Sequence, residues 1–440
     1  MNLAEASLPS WIATNEETSP DIFKEYQYPV SSWPVIIDQP LIDRLSVMSR
    51  RVPQLIAQIP ELYFNNNVKA LADYYLDGNT MLAEFALLCH NKGVQVSSRL
   101  DLTYTHDGFK VLESNIGSTI GGWQVQSFES IIRRSHPELN NPVTAGRYTT
   151  RNIQLLYFEF LVEKTLEYVT DTNGTVNIFL TLEDTTETEV VEQTYDLLSS
   201  LLSEALGKKN LSGGLFFKEL RNLRLVGKDL YYEEDRMHCV INITGEQIPL
   251  EILKSFIMDR IYLPDNLGTN FTKDKRNLGI LRTLAERGAF GADDNQLIME
   301  TIPFTCPVEP SQVRFEGQCY DLVTLLREQQ DRFVIKVADG RQGIDVYVGR
   351  HVSSEAWEEA IQLGLGDKAF IAQEFCDSVN FLAPNPDNEW AEHKLIWGSF
   401  GFGDTYGGVW VRMSFIGTDT GVINSATGAV EAIVFEHTDS

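Results

Sequence analysis

Apolar positions along the chain switch between a spacing of three to four residues and strict alternation, and those switches mark its elements. "VKALADYYLDGNTMLAEFALLCHNKG" carries helical spacing and stops on glycine, so the first 95 residues or so are expected to be helix-rich. "SRLDLTYTHDGFKVLESN" alternates on both sides of "HDG" and predicts a hairpin. A glycine-rich loop, "NIGSTIGGW", follows it, and then a helix in "TTRNIQLLYFEFLVEKTLEYV". "TVNIFLTLED" reads as a strand and "TEVVEQTYDLLSSLLSEAL" as a helix, with "GLFFKEL", "LRLVGKDLYYE" and "HCVINIT" as further strands. That alternation predicts a small α/β unit. Beyond "LPDNLGTNF" the chain turns β-rich, through "DRFVIK", "DVYVG", "AFIAQEF", "KLIWGSFGF" and "GVWVRMSFI", with one helix in "SSEAWEEAIQLG". Three blocks result, 1–171, 172–265 and 266–440, in a mixed α+β and α/β fold.

The period of two places Arg99, Asp101, Thr103 and Thr105 on one face of the first hairpin strand. It places Phe109, Val111, Glu113 and Asn115 on one face of the second. A three-residue loop closed by Gly108 pairs Thr105 with Phe109. Counting back by twos sets Asp101 opposite Glu113 and Arg99 opposite Asn115. Directly opposed carboxylates repel unless a cation sits between them. Oxygens from Asp101, Glu113 and Asn115 suit a hard divalent ion such as Mg²⁺, and a phosphate would complete so small a set. The Arg99 fork suits the same phosphate. The plainer alternative is a surface hairpin in which Arg99 neutralises the two acids.

"RFVIKVADGRQGIDVYVG" sets Lys336 inside an otherwise apolar strand, ahead of a loop holding Gly340, Arg341, Gln342 and Gly343. The glycines let backbone approach an anion and offer N–H groups. Neither GK[ST] nor GxGxxG is present, so this is neither a P-loop nor a dinucleotide fingerprint. A hairpin turn with a surface lysine is the alternative, and it leaves a lysine in an apolar strand unexplained. In "KAFIAQEFCDS" a strand ending at Gln373 and Glu374 is placed to offer backbone donors and acceptors to a purine edge.

Together these pieces resemble the ATP-grasp superfamily, in its circularly permuted branch that includes glutathionylspermidine synthase. The resemblance rests on "RLD" (99–101) with "ESN" (113–115), on Lys336 with "DGRQG", and on "IAQEF". "TKDKRNLGILRTL", "YGGVWVRMS" and "GVINSATGA" are similar to further elements of the branch. The usual proline after the second lysine is Val337 here, and the final double glycine reads Gly428-Ala429. The resemblance covers residues 95–125 and about 270–430, and the first 90 or so match nothing in it.

It implies a permuted ATP-grasp core around a small Rossmann-like pre-ATP-grasp unit. The implied activity is an ATP-dependent carboxylate–amine ligase working through an acylphosphate and releasing ADP and phosphate. A phosphotransferase on the same fold, or an inactive nucleotide-binding subunit, is the alternative. The implied cofactors are ATP and Mg²⁺, as two ions, with Asp101, Glu113 and Asn115 as the metal set. Lys275 (or Lys273) and Lys336 would hold phosphates, with Gly340, Arg341, Gln342 and Gly343 as a lid and Gln373 and Glu374 at adenine. Arg99, Ser118 and Arg412 would act on the reacting groups.

Composition narrows the setting. A net charge of −26 repels nucleic acid and anionic lipid at long range, so neither is an expected partner, and it mildly favours a cationic amine substrate. The partners are small molecules: a carboxylate and an amine, whether amino acid, peptide or polyamine. No run of about 20 apolar residues occurs. The N-terminus has neither a basic start nor an apolar stretch, so no secretory signal is read there. Five scattered cysteines without CxxC spacing fit a reducing, cytoplasmic setting and supply no zinc framework. Cys376 and His393 give no sign of a catalytic pair.

Overall fold

The computed structural model describes residues 8–141, 147–182, 186–340, 344–366, 369–418 and 421–438. Its largest sheet joins the two ends of the chain. The hairpin Ser97–Thr105 and Gly108–Ile116 lies beside the long strands Trp390–Phe402 and Thr405–Phe415, and Val430–His437 follows. Val35–Ile37 adds in parallel at the far edge. Arg99 stands opposite Phe400, and Asp101 opposite Gly398.

Alternation divides this sheet into two faces. Leu100, Leu102, Val411, Met413, Ala432 and Val434 are buried on one, against Leu45, Met48, Val52 and Leu55 of the helix Gln39–Ile56. That helix starts well, since Asp38 caps it by accepting from the Leu41 N–H, 3.3 Å away. The other face carries Arg99, Asp101, Trp410, Arg412 and Glu431, and lines a cavity.

A separate four-stranded antiparallel sheet holds Thr305–Pro307, Phe370–Glu374, Phe333–Val337 and Val346–Val348, in that order. A three-stranded parallel sheet is built from Cys239–Ile241, Ile178–Thr181 and Leu215–Lys218. It lies within the stretch expected to be a small α/β unit.

Two local expectations are corrected. The run from Val68 is not one helix but two, Val68–Tyr75 and Thr80–His90. "DGN" breaks it: Asp77 and Gly78 take left-handed φ of 48° and 79°, and Asn79 caps the second helix by accepting from Leu82 N–H. In the hairpin, Thr105 pairs with Gly108 instead of Phe109, and a bulge at Leu112 shifts the register back. Asp101 therefore still faces Glu113, and Arg99 still faces Asn115. The bulge also parts residues expected to share a face. Phe109 and Val111 enter the core, while Glu113 and Asn115 line the cavity. Strict alternation would have buried charge with Phe109 and Val111, and one extra residue relieves that conflict.

No helix among the described residues is long and apolar enough to cross a membrane, and all five cysteines are free thiols.

Candidate functional site

The cavity, of about 880 Å³, lies between the hairpin and the lysine strand. Arg99, Asp101, Glu113, Asn115, Lys275, Lys336, Gly340, Gln373, Glu374 and Arg412 all line it. Residues more than 200 positions apart in sequence thus meet in one space. Ser118 does not join them. Its N–H is held by Asp265 at 2.7 Å, outside the cavity lining, so the expectation that it meets a reacting group is withdrawn. Arg341, Gln342 and Gly343 lie outside the described residues.

Lys336 shows why an apolar strand carries a lysine. Its ammonium donates to the Leu112 carbonyl at 2.8 Å and to Gln373 Oε1 at 2.9 Å. Leu112 is the bulged residue, whose carbonyl the hairpin ladder leaves to another donor. One lysine therefore ties the two sheets together across the cavity. The surface-lysine alternative is excluded, because Lys336 is only 7% exposed. Desolvation lowers its pKa to about 8, with Lys275 adding to the effect and Glu113 and Asp101 opposing it.

Lys275 Nζ lies 3.2 Å from Glu113 Oε1 and donates to the Gly340 carbonyl at 2.5 Å. Lys273 lines the cavity as well, but the ion pair with Glu113 belongs to Lys275.

Asp101 is held by two guanidiniums. Arg99 Nε and Nη2 donate to it at 2.7 and 3.0 Å, and Arg412 Nη2 at 2.9 Å. Arg412 starts two strands away, opposite Ile396, and reaches across the intervening strand to Asp101. Burial alone would raise the Asp101 pKa, but Arg99 and Arg412 outweigh it and hold the carboxyl below its ordinary value. The repulsion expected between Asp101 and Glu113 is therefore already met, each acid having its own cation. No group of three or more His, Cys, Asp and Glu side chains gathers as a metal site among the described residues. The hairpin offers two acids and an amide.

The purine-edge expectation is corrected for the backbone of Gln373, while at Glu374 the N–H is held by the Phe304 carbonyl at 2.8 Å. Their strand is internal, with Gln373 paired to both Thr305 and Val334, so the ladders occupy its backbone. The Gln373 side chain accepts from Lys336 and donates to Thr305 Oγ1 at 3.1 Å. Beyond it, Phe375 to Asp377 line the cavity. Burial pushes the Cys376 thiol up to about 12, and His393 bonds the Ala391 carbonyl at 2.9 Å.

Sequence reasoning missed several site residues. Trp410 is clamped between two glycines: a Cβ would fall 2.0 Å from its ring at Gly122 and 2.3 Å from it at Gly398. Arg99 and Arg412 stand 6.0 and 5.3 Å from the ring centroid. Gly122 also has φ of +98°, so Gly122→Ala combines backbone strain with a clash. It should cost about 2–3 kcal/mol. An unchanged urea midpoint would show that Trp410 is not clamped. Tyr26 and Glu431 were missed too, for nothing in "EYQYPV" signals that it packs against the last strand.

No family model matches the chain, and no curated protein sequence does. Among solved structures, a glutathione synthetase-like effector from Globodera pallida, in its apo form, matches with a TM-score of 0.55 at 12% identity. The match covers 92% of this chain and 90% of that one. The chain has a glutathione synthetase-like fold, with mixed sheets and helices.

Proposed function

We propose that the chain is an ATP-dependent carboxylate–amine ligase of circularly permuted ATP-grasp architecture. The observation that carries this reading is the meeting of Lys275, Lys336, Asp101, Glu113 and Asn115 in one cavity. On this reading the hairpin, early in the chain, supplies the metal half of the core, and the lysine sheet supplies the nucleotide half.

The donor set fits magnesium only as part of a larger shell. Glu113 and Asn115 offer hard oxygens to the cavity, whereas both Asp101 oxygens already accept from arginine. Glu113, Asn115 and Asp101 would hold the ion together with phosphate oxygens, and its charge would offset that of the transferring phosphoryl group.

The chain's own residues do the rest. Lys275 and Lys336 bind and orient the phosphates. Taking up a phosphate frees Glu113 and the Gly340 carbonyl from Lys275. Arg99, fixed by Asp101 and Trp410, steadies the charge of the γ-phosphoryl group as the substrate carboxylate attacks its phosphorus. A phosphorus–oxygen bond forms to that carboxylate as the bond to ADP breaks. An amine then adds to the acylphosphate carbon, phosphate leaves, and the amine's proton is lost to solvent or a base. The loop "ADGRQGID", read from the sequence, would serve as a lid that excludes water from the acylphosphate.

The test is a screen of paired carboxylates and amines for ADP release, with mass spectrometry of the products. A ligase releases ADP and phosphate only with both partners present and gains an amide product. A stable phosphorylated product from one partner alone would make the protein a phosphotransferase instead.

A further inference from the structure

The cavity extends well past the phosphate-binding end. Glu113, Asp101, Arg412 and Glu431 lie along one sheet face that spans five strands, from the hairpin's second strand to Val430–His437. Four strand spacings separate its ends by roughly 19 Å. Glu113 sits with the lysines at one end. The other is closed by the N-terminal segment, the part of the chain that the family resemblance leaves without a role.

That segment is built in firmly. Tyr26 Oη donates to Glu431 Oε2 at 2.7 Å, and Ser425 Oγ donates to Oε1 at 2.5 Å. The Ser31 N–H donates to the Glu431 carbonyl, and the Glu431 N–H donates to the Pro29 carbonyl. Glu431 is 2% exposed, and both its carboxylate oxygens are taken. Tyr28 packs edge-on to Tyr26 with centroids 5.5 Å apart and lines the cavity.

The side chains that stay open here share one chemistry. Gln124 accepts the Gly122 N–H through Oε1, and Asn424 accepts the Ala426 N–H through Oδ1, so each leaves its NH₂ free of acceptors among the described residues. Arg412, 8% exposed, spends one N–H on Asp101, and its Nε is buried without a partner. Gln124, Asn424 and Arg412 offer donors, Tyr28 a hydroxyl, and the two acids beside them, Asp101 and Glu431, have both carboxylate oxygens already taken. An ammonium placed here would meet donors and a guanidinium. A carboxylate or a peptide carbonyl would satisfy them.

We propose that Tyr28, Gln124, Asn424 and Arg412 form a second-substrate pocket, walled by the N-terminal segment through the Tyr26–Glu431–Ser425 tether, which takes the carboxylate-bearing end of an amino acid or short peptide and rejects a polyamine. This rests on the ligase reading for what the bound molecule then undergoes, but not for its binding.

Calorimetry on the full chain tests it, with a panel of amino acids and di- and tripeptides, the same compounds as C-terminal amides, and spermidine. Binding of an ATP analogue with magnesium is measured separately on each variant. At least one free-carboxylate compound should bind, its amide about 10-fold or more weaker, and spermidine should not displace it. Tyr28→Ala and Gln124→Ala should each weaken that compound about 10-fold and leave nucleotide affinity unchanged, with Tyr28→Phe in between. The proposal is overturned if spermidine binds as tightly as any peptide, if no carboxylate compound binds, or if both alanine variants keep wild-type affinity. Lost nucleotide binding with intact peptide binding would remove the ligase reading and leave this pocket standing.

Discussion

Asp101→Asn should both stop turnover and destabilise the protein, and the two effects should separate. Arg99 and Arg412 are buried beside this carboxylate and share it, so losing its charge leaves two guanidiniums with too little counter-charge. The expected cost is about 3 kcal/mol. Sequence alone suggests the opposite, because an unpaired Asp101 facing Glu113 would gain from losing charge. The guanidiniums reverse that sign. Since the carboxyl is held below its ordinary value, the stability it lends is present above pH 3.8 and is lost as pH falls further. Adding Arg412→Gln to Asp101→Asn should restore part of the urea midpoint, because the surplus cation goes too. It should restore no turnover, as ADP release should fall by at least 10²- to 10³-fold in either background. Wild-type ADP release in Asp101→Asn would remove the hairpin from the chemistry.

Lys336→Ala should raise the dissociation constant for ATP roughly 30- to 150-fold, equivalent to about 2–3 kcal/mol for a desolvated charge-assisted contact. The same lysine sets a pH signature. Its pKa is lowered to about 8, and a phosphate oxygen prefers the ammonium form. Below pH 8 the lysine is charged and affinity should be level. Above it, each binding event must take up a proton, so affinity should fall about tenfold per pH unit. Lys336→Ala should flatten that slope as well as weaken binding. Calorimetry between pH 7 and 9.5 reads both effects. A flat wild-type profile, with unchanged affinity in the variant, would mean that Lys336 only ties Leu112 to Gln373.

Much of the hairpin could be read from residue order, because its determinants are local. Alternation and a short turn set Asp101 against Glu113 even though the turn register was one residue off and the Leu112 bulge restored it. Phe109 and Val111 carried the clue, since they share parity with Glu113 and Asn115 and cannot share their surroundings. Lys336 stood out because a buried ammonium needs partners. Those partners, the Leu112 carbonyl and Gln373, are tertiary and could not be named. The same limit hid the pairing of Asp101 with Gly398, the reach of Arg412 and the docking of Tyr26 on Glu431. Each joins residues some 300 to 400 positions apart, where no local spacing constrains the match. Ser118 failed for a related reason: closeness to Asn115 in sequence did not predict that Asp265 would draw its N–H out of the cavity.

The central claim is that hairpin and lysine sheet together form one magnesium–nucleotide site. A crystal structure of the full chain with magnesium and a non-hydrolysable ATP analogue tests it most directly. The triphosphate should lie between Lys275 and Lys336, with the Lys275–Glu113 ion pair broken and Glu113 and Asn115 oxygens about 2.1 Å from a metal ion. A nucleotide bound elsewhere, or bound with Lys275 still paired to Glu113 and no metal at the hairpin, would contradict it.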